Sequence, residues 1–330
     1  MLTVTPSGIY CPAGDFYVDP KGSVKRALVT HAHSDHARPG HESYLCSNPC
    51  LPLLELRLGK KAKIEGIPFG QKHKIGDALV SFHPAGHILG SAQVRVEVAG
   101  RVFVVSGDYK PDGDQTCEEF EPVKCHLFIS ECTFGLPVYR WKPEEYVFDQ
   151  INRWWSENSR EDRPSLVFAY SLGKAQRVLA GLDPEIGPIF LHSAAYEFLE
   201  PYRQAGIVLP HAEKVEKAKP NDYSRSIIIA PPAVEESGWA RTFTDCRKSF
   251  ASGWMAIRGQ RRRRNLDQGF VLSDHADWDG LIRSIAATEA ESVRLTHGNG
   301  DALARYLCEK GIDAGILEKT NLIKMREAKE

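Results

Sequence analysis

Short apolar runs closed by turn residues dominate the first 140 positions. The stretches 7–12, 16–19, 26–30, 79–83, 101–108 and 126–133 are rich in β-branched and aromatic residues and end in Pro, Asp, His or Thr, so they predict a sheet-rich segment. Near residue 144 the period changes. Val147, Phe148, Ile151, Trp154 and Trp155 recur at helical spacing over 144–156, and Pro143 suits the first turn. This aromatic stripe reads as core. Beyond residue 160, strands at 164–170, 188–192 and 226–232 alternate with helical stretches, the first of which opens at Ser171. That alternation predicts a parallel sheet and a second domain. The strands 269–277 and 292–299 then run into polar turns, and 301–310 is an amphipathic helix by Leu303, Tyr306, Leu307 and Cys308.

At 330 residues the chain accommodates one large core or two domains. Lys and Arg number 42 against 43 Asp and Glu, so a surface for polyanions must be a local patch. The dense basic run is Arg258-Gly259-Gln260-Arg261-Arg262-Arg263-Arg264. The eight cysteines are scattered and form no Cys-x-x-Cys pair; Cys46 and Cys50 are closest. With no secretory signal or membrane-length apolar run in the sequence, reduced thiols in the cytoplasm are expected. Gly173-Lys174 does not complete a P-loop, because Phe168 stands where the first Gly belongs and Ala175 where Ser or Thr belongs.

Candidate chemistry gathers at strand ends. Thr30-His31-Ala32-His33-Ser34-Asp35-His36 places three imidazoles and a carboxylate in six residues after a short strand, a ligand set suited to zinc or a similar divalent ion. His87 follows the strand 79–83 between glycines, and His83 reads as structural. Asp108 and Glu131 end two further strands, and His275 and His297 follow two later ones. Asp15 and Asp19 each lie close enough in sequence to orient a metal-binding imidazole, although Asp19 before Pro20 reads better as a turn residue.

The ordered set HxHxDH, AGH, GD, SE, SDH and THG resembles the metallo-β-lactamase superfamily, specifically its β-CASP nucleases. Together with the segments 10–15 and 171–177 and the arginine run, it looks most like the bacterial DNA-ligase-associated exonucleases. The resemblance implies an α/β fold: an αββα sandwich from 1–144 and 263–330, with a β-CASP insert at 145–262. It implies two divalent ions, zinc first and manganese second. His31, His33 and His87 would hold the first ion; Asp35, His36 and His297 the second; Asp108 would bridge. Asp15 resembles the family's early orienting aspartate. Glu131 and His275, with Asp35, would form the catalytic set, His275 acting as general acid while a bridging hydroxide attacks the phosphate. Ser171, Lys174, Ser273, Arg261, Arg262, Arg263 and Arg264 are the expected substrate contacts. The implied partner is nucleic acid, with a functional link to a DNA ligase and no membrane. His297 stands where Artemis-like DNA nucleases typically carry an apolar residue and RNA-cleaving members a His, whereas Ser273 follows the Artemis-like pattern. The expectation is a DNA exonuclease of repair; the alternatives are an RNA-processing nuclease and a small-molecule metallo-hydrolase.

Overall fold

The computed structural model of the chain describes residues 2–216, 223–243, 245–257, 259, 262 and 264–317. The chain divides into two compact units, one of Met1–Tyr139 with His275–Glu330 and the other of Arg140–Asp274.

In the first unit, β1 (Thr3–Thr5), β2 (Gly8–Cys11), β3 (Phe16–Val18), β4 (Arg26–Leu28), β5 (Ser43–Ser47) and β6 (Ile64–Ile67) form one sheet in sequence order, parallel from β3 onward. The second sheet contains β7 (His73–Ile75), β8 (Ala78–Pro84), β9 (Ala92–Val98), β10 (Arg101–Val105), β11 (Leu127–Glu131), β18 (Ser292–Thr296) and β19 (Asp313–Ile316). Its order is β19-β18-β11-β10-β9-β8-β7.

Strand alternation explains the layers. Phe103 and Val105 of β10 and Leu127 and Ile129 of β11 face inward, against Phe16, Leu28 and Leu45 of the first sheet. Val104 and Phe128, one position out of phase, face the other way. There they pack on Leu281 and Ile285 of the helix Trp278–Ala287 and on Leu303 and Leu307 of the helix Asp301–Glu309. The helix α1 (Leu51–Leu58) buries Leu53 and Leu54 and packs along β6 on the first sheet. The first unit is thus a helix–sheet–sheet–helix sandwich.

The second unit is a parallel sheet of β12 (Ser165–Phe168), β13 (Ile189–Leu191), β14 (Glu213–Lys214), β15 (Ile227–Ala230), β16 (Arg247–Ala251) and β17 (Gln268–Phe270), in the order β14-β13-β15-β12-β16-β17. Its central strands are buried throughout, as the unbroken apolar runs at 166–168 and 227–230 require. The helix α2 (Glu144–Arg160) lays Val147, Ile151 and Trp155 against the sheet at four-residue spacing. The expected insert borders, 145 and 262, fall inside this unit. β17 pairs with β16, so the chain stays with the parallel sheet until Asp274, a pairing that a polar run at 258–264 does not signal. Among the described residues, no helix is long and apolar enough to cross a membrane. All eight cysteines are free thiols.

Trp155 is fully buried, and its indole N–H donates to the Arg225 carbonyl at 3.0 Å. Trp155→Ala removes both the packing and the bond, and should destabilise the second unit by about 3–5 kcal/mol. A lowered urea midpoint checks this; a midpoint equal to that of the parent chain would contradict the packing described.

Candidate metal centre

β4, β8, β10, β11 and β18 all end at one edge of the sandwich, and the loops leaving them carry the candidate ligands. β9 runs antiparallel to both β8 and β10, whereas β10, β11 and β18 are mutually parallel, so four carboxyl ends of the second sheet are brought side by side. Two close backbone approaches bring this edge together. Gly107, at φ +58°, sits so near Thr30 that a Cβ would lie 2.6 Å from the Thr30 Cβ. Gly90, at φ +71°, leaves a Cβ only 2.2 Å from the Cys50 nitrogen.

Two groups of donor atoms result. His31, His33, His87 and Asp108 present ligand atoms within 4.8 Å of one another, and so do His36, Asp108 and His297. His33 Nδ1 lies 3.1 Å from both His31 Nε2 and His87 Nε2. Asp108 Oδ2 lies 3.6, 3.5 and 3.8 Å from Nε2 of His31, His36 and His87. The carboxylate therefore stands between the two groups. Asp35 Oδ2 is 3.7 Å from His36 Nε2, and the His297 ring stacks on His36 at 4.8 Å.

The hydrogen bonds fix which imidazole nitrogens carry lone pairs. Asp19 Oδ1 accepts from the Thr30 amide at 2.8 Å, and Oδ2 lies 2.6 Å from the Thr30 hydroxyl and 2.7 Å from His36 Nδ1. The Thr30 hydroxyl donates to Asp19, so it accepts from His31 Nδ1 at 3.0 Å. His31 and His36 therefore both carry a hydrogen on Nδ1, which leaves Nε2 of each ring as the atom that faces the cluster.

This set fits divalent ions. His36 Nε2 and Asp108 Oδ1 are buried without a hydrogen-bond partner among the described residues. One proton cannot satisfy His33 Nδ1 against two converging Nε2 atoms, whereas an ion with bonds of about 2.0–2.2 Å separates its ligands by distances close to those seen. Burial, with His36 and His87 nearby, holds the His31 pKa well below its usual value, so the ring is a neutral ligand. At His36 burial opposes the charge, but Asp108 and Asp19 outweigh it and hold the pKa well above the usual value. Asp108 is likewise kept well below the usual carboxylate range; burial acts against this, and His36 and the other imidazoles overcome it.

Three comparisons bear on this geometry. No protein-family model matches the sequence. A "Probable DNA ligase" of Opitutus terrae is 32% identical over 96% of this chain, which covers 31% of that protein. The "Cleavage and polyadenylation specificity factor 73" of Drosophila melanogaster is 29% identical over 74% of this chain, or 43% of that protein. The chain thus spans under half the length of either relative. These similarities support the β-CASP group of the metallo-β-lactamase superfamily as the family of this chain. A solved structure of a protein of unknown function from Enterococcus faecalis shares the fold, with a TM-score of 0.59, 13% identity, and 83% of this chain and 76% of that one covered.

Beside these two donor groups sits the Glu131–His275 pair. Glu131, at the end of β11, accepts from the Tyr109 amide at 2.8 Å, the Thr133 amide at 3.2 Å and the Thr133 hydroxyl at 2.5 Å. His275 Nδ1 lies 2.9 Å from Oε1 and 3.0 Å from Oε2. Because the carboxylate only accepts, Nδ1 is the donor, and Nε2 is the ring atom left to carry or release a proton. The Ala276 amide bonds the Tyr109 carbonyl at 2.7 Å, and Asp277 caps the next helix through the Gly280 amide, also at 2.7 Å, which fixes the backbone around His275. Asp108, Glu131 and His275 also form a group within 4.8 Å.

Two expected residues act differently. Asp15 is exposed and accepts from Tyr10 at 2.9 Å; Asp19 is the carboxylate that orients His36. Both have positive φ, but only Asp19 faces Thr30. Lys174 is 2% exposed and forms an ion pair with Asp274 at 2.8 Å inside the second unit, so its charge is neutralised within the fold. The helix α3 (Lys174–Ala180) begins three residues after Ser171, and the Gly173 amide before it already donates to Gln176 Oε1 at 2.8 Å. Arg177 in α3 bonds Glu144 and the Ser273 carbonyl. Ser171 is half-buried and Ser273 buried. Arg262 and Arg264 are exposed; Arg264 pairs with Glu235 at 3.0 Å and lies 4.5 Å over the Phe250 ring. Arg261 and Arg263 lie outside the described residues. Thr30 and Thr133 were not marked by any spacing rule.

Asp19→Ala should weaken binding of a divalent ion by about 10–100-fold, while Asp15→Ala leaves it near the parent value. Competition with a chelator reads both, and equal losses would remove the distinction. An ion entering beside His36 displaces the proton that the raised pKa holds there. Metal uptake should therefore acidify a weakly buffered solution, and affinity should fall as the pH falls; uptake with no proton release would contradict this.

Proposed function

We propose that the chain is a metal-dependent phosphodiesterase, a cytoplasmic DNA exonuclease of repair that works alongside a DNA ligase. The observation that carries this reading is the juxtaposition of two ligand groups sharing Asp108 with a His275–Glu131 pair. Zinc is the proposed ion, with manganese second, because the set mixes imidazole nitrogen with carboxylate oxygen. A bound pair of such ions supplies an ionised water near neutral pH and offsets charge on the phosphoryl oxygens.

The chain's own residues supply the rest. His275 Nε2 gives a proton to the departing alkoxide, while Glu131, fixed by Tyr109 and Thr133, keeps the ring in the tautomer that points Nε2 outward. The products would carry 5′-phosphate and 3′-hydroxyl ends. Two observations favour DNA: the Opitutus relative is named as a DNA ligase, and its similarity covers nearly all of this chain. A second reading, RNA processing, is favoured by the Drosophila relative's name, by a Neurospora crassa relative named "Endoribonuclease ysh-1", and by His297 in the second ligand group.

His275→Ala should retain its metal and lose about 10²–10⁴-fold in turnover, whereas His33→Ala should lose metal and activity together. Metal content measured beside digestion of end-labelled DNA and RNA of one sequence checks this. Equal metal loss in the two variants would sink the division of roles, and faster RNA digestion would replace the DNA assignment.

A further inference from the structure

Away from the metal centre, the first unit has an open cleft of about 400 Å³. Its walls include Arg26, Lys63, His73 and Lys74, with Glu65 as the one acid. β4, β5 and β6 are parallel, and Arg26, Ser43 and Lys63 lie at or just before their starts, whereas the metal-binding loop follows the end of β4. Arg26 and His31 are five residues apart along that extended stretch, roughly 16 Å at the rise of a strand. The cleft is thus at the opposite edge of the first sheet.

Arg26, Lys63 and Lys74 are exposed, and among the described residues none of them is in an ion pair. Next along the chain to lining residues are two further exposed bases, Lys25 and Lys72, and two exposed acids, Glu42 and Asp77, so the positive excess belongs to the cleft walls themselves. In a chain of net charge −1 this concentration is local, and like charges lining one concavity repel each other unless an anion lies between them. We propose that the cleft binds phosphate groups of a nucleic-acid strand, as a second anchoring site remote from the metal centre. This rests on the nuclease reading. A strand with one end at the metal centre must run on across the protein surface, and spaced lysines grip such a polymer by releasing its counterions. The cleft also falls in the size range of ligand pockets, with room for more than a bare phosphate.

The test is fluorescence anisotropy with a phosphorothioate DNA of about 30 nucleotides, longer than the footprint of one binding fold. The parent chain is compared with Lys63→Ala/Lys74→Ala and with Lys63→Arg/Lys74→Arg. The alanine pair should bind more weakly and lower the slope of log affinity against log salt by about 1.4, or 0.7 for each lost cation, while the arginine pair retains the parent slope. Unchanged affinity and slope in the alanine pair overturn the anchoring site and leave the nuclease reading standing. Failure of the parent chain to bind DNA overturns both. Poly-glutamate binding that is lost in the alanine pair, with DNA binding intact, assigns the cleft to an acidic peptide and overturns the proposal.

Discussion

Imidazole lone pairs that face one another in a buried space are the constraint on which the first unit turns. His31 Nε2 and His87 Nε2 both converge on His33 Nδ1 at 3.1 Å, and a single ring nitrogen has one proton or one lone pair to offer the two of them. Such an arrangement persists in a folded chain only when a cation compensates it or when the surrounding structure over-determines it. Both conditions have visible parts here. The carboxylate of Asp108 supplies negative charge from the middle, and the Asp19–Thr30 pair fixes the rings from behind.

The sandwich is what makes that convergence affordable in entropy. The candidate donors are short side chains on the loops that follow strands held by ladder hydrogen bonds, so few side-chain rotors are frozen in making the cluster. The parallel strands β10, β11 and β18 present Asp108, Glu131 and His297 from neighbouring positions. His297 adopts φ +52°, and Gly298 behind it packs against the Cys132 carbonyl, where a Cβ would come within 2.2 Å. Backbone strain at the last candidate donor is thus held by a glycine that lets two strand ends touch.

Much of this was legible in the residues. Strand ends carrying His, Asp and Glu in a fixed order pointed to the candidate donor groups, and the change to alternating strands and helices beyond residue 160 pointed to a second unit, some twenty residues after the border at Arg140. The misreadings have physical causes. Asp15 and Asp19 are alike in type and spacing, and only the pairing of β3 with β4 brings one of them to Thr30. Lys174 looked like a phosphate ligand because its buried partner, Asp274, lies 100 residues further along the chain. The basic cleft went unread for the same reason: Arg26, Lys63 and Lys74 are far apart in sequence, and none belongs to a dense basic run.

The order in which the chain supplies its ligands has a consequence for synthesis. His31, His33, His87 and Asp108 all precede Tyr139, whereas His275 and His297 arrive only after the entire second unit. The four donors of the first candidate group therefore leave the ribosome more than a hundred residues before His275 and His297. β18, which carries His297 and pairs with β11, arrives with that later segment, so the second sheet closes only after the whole second unit has been made.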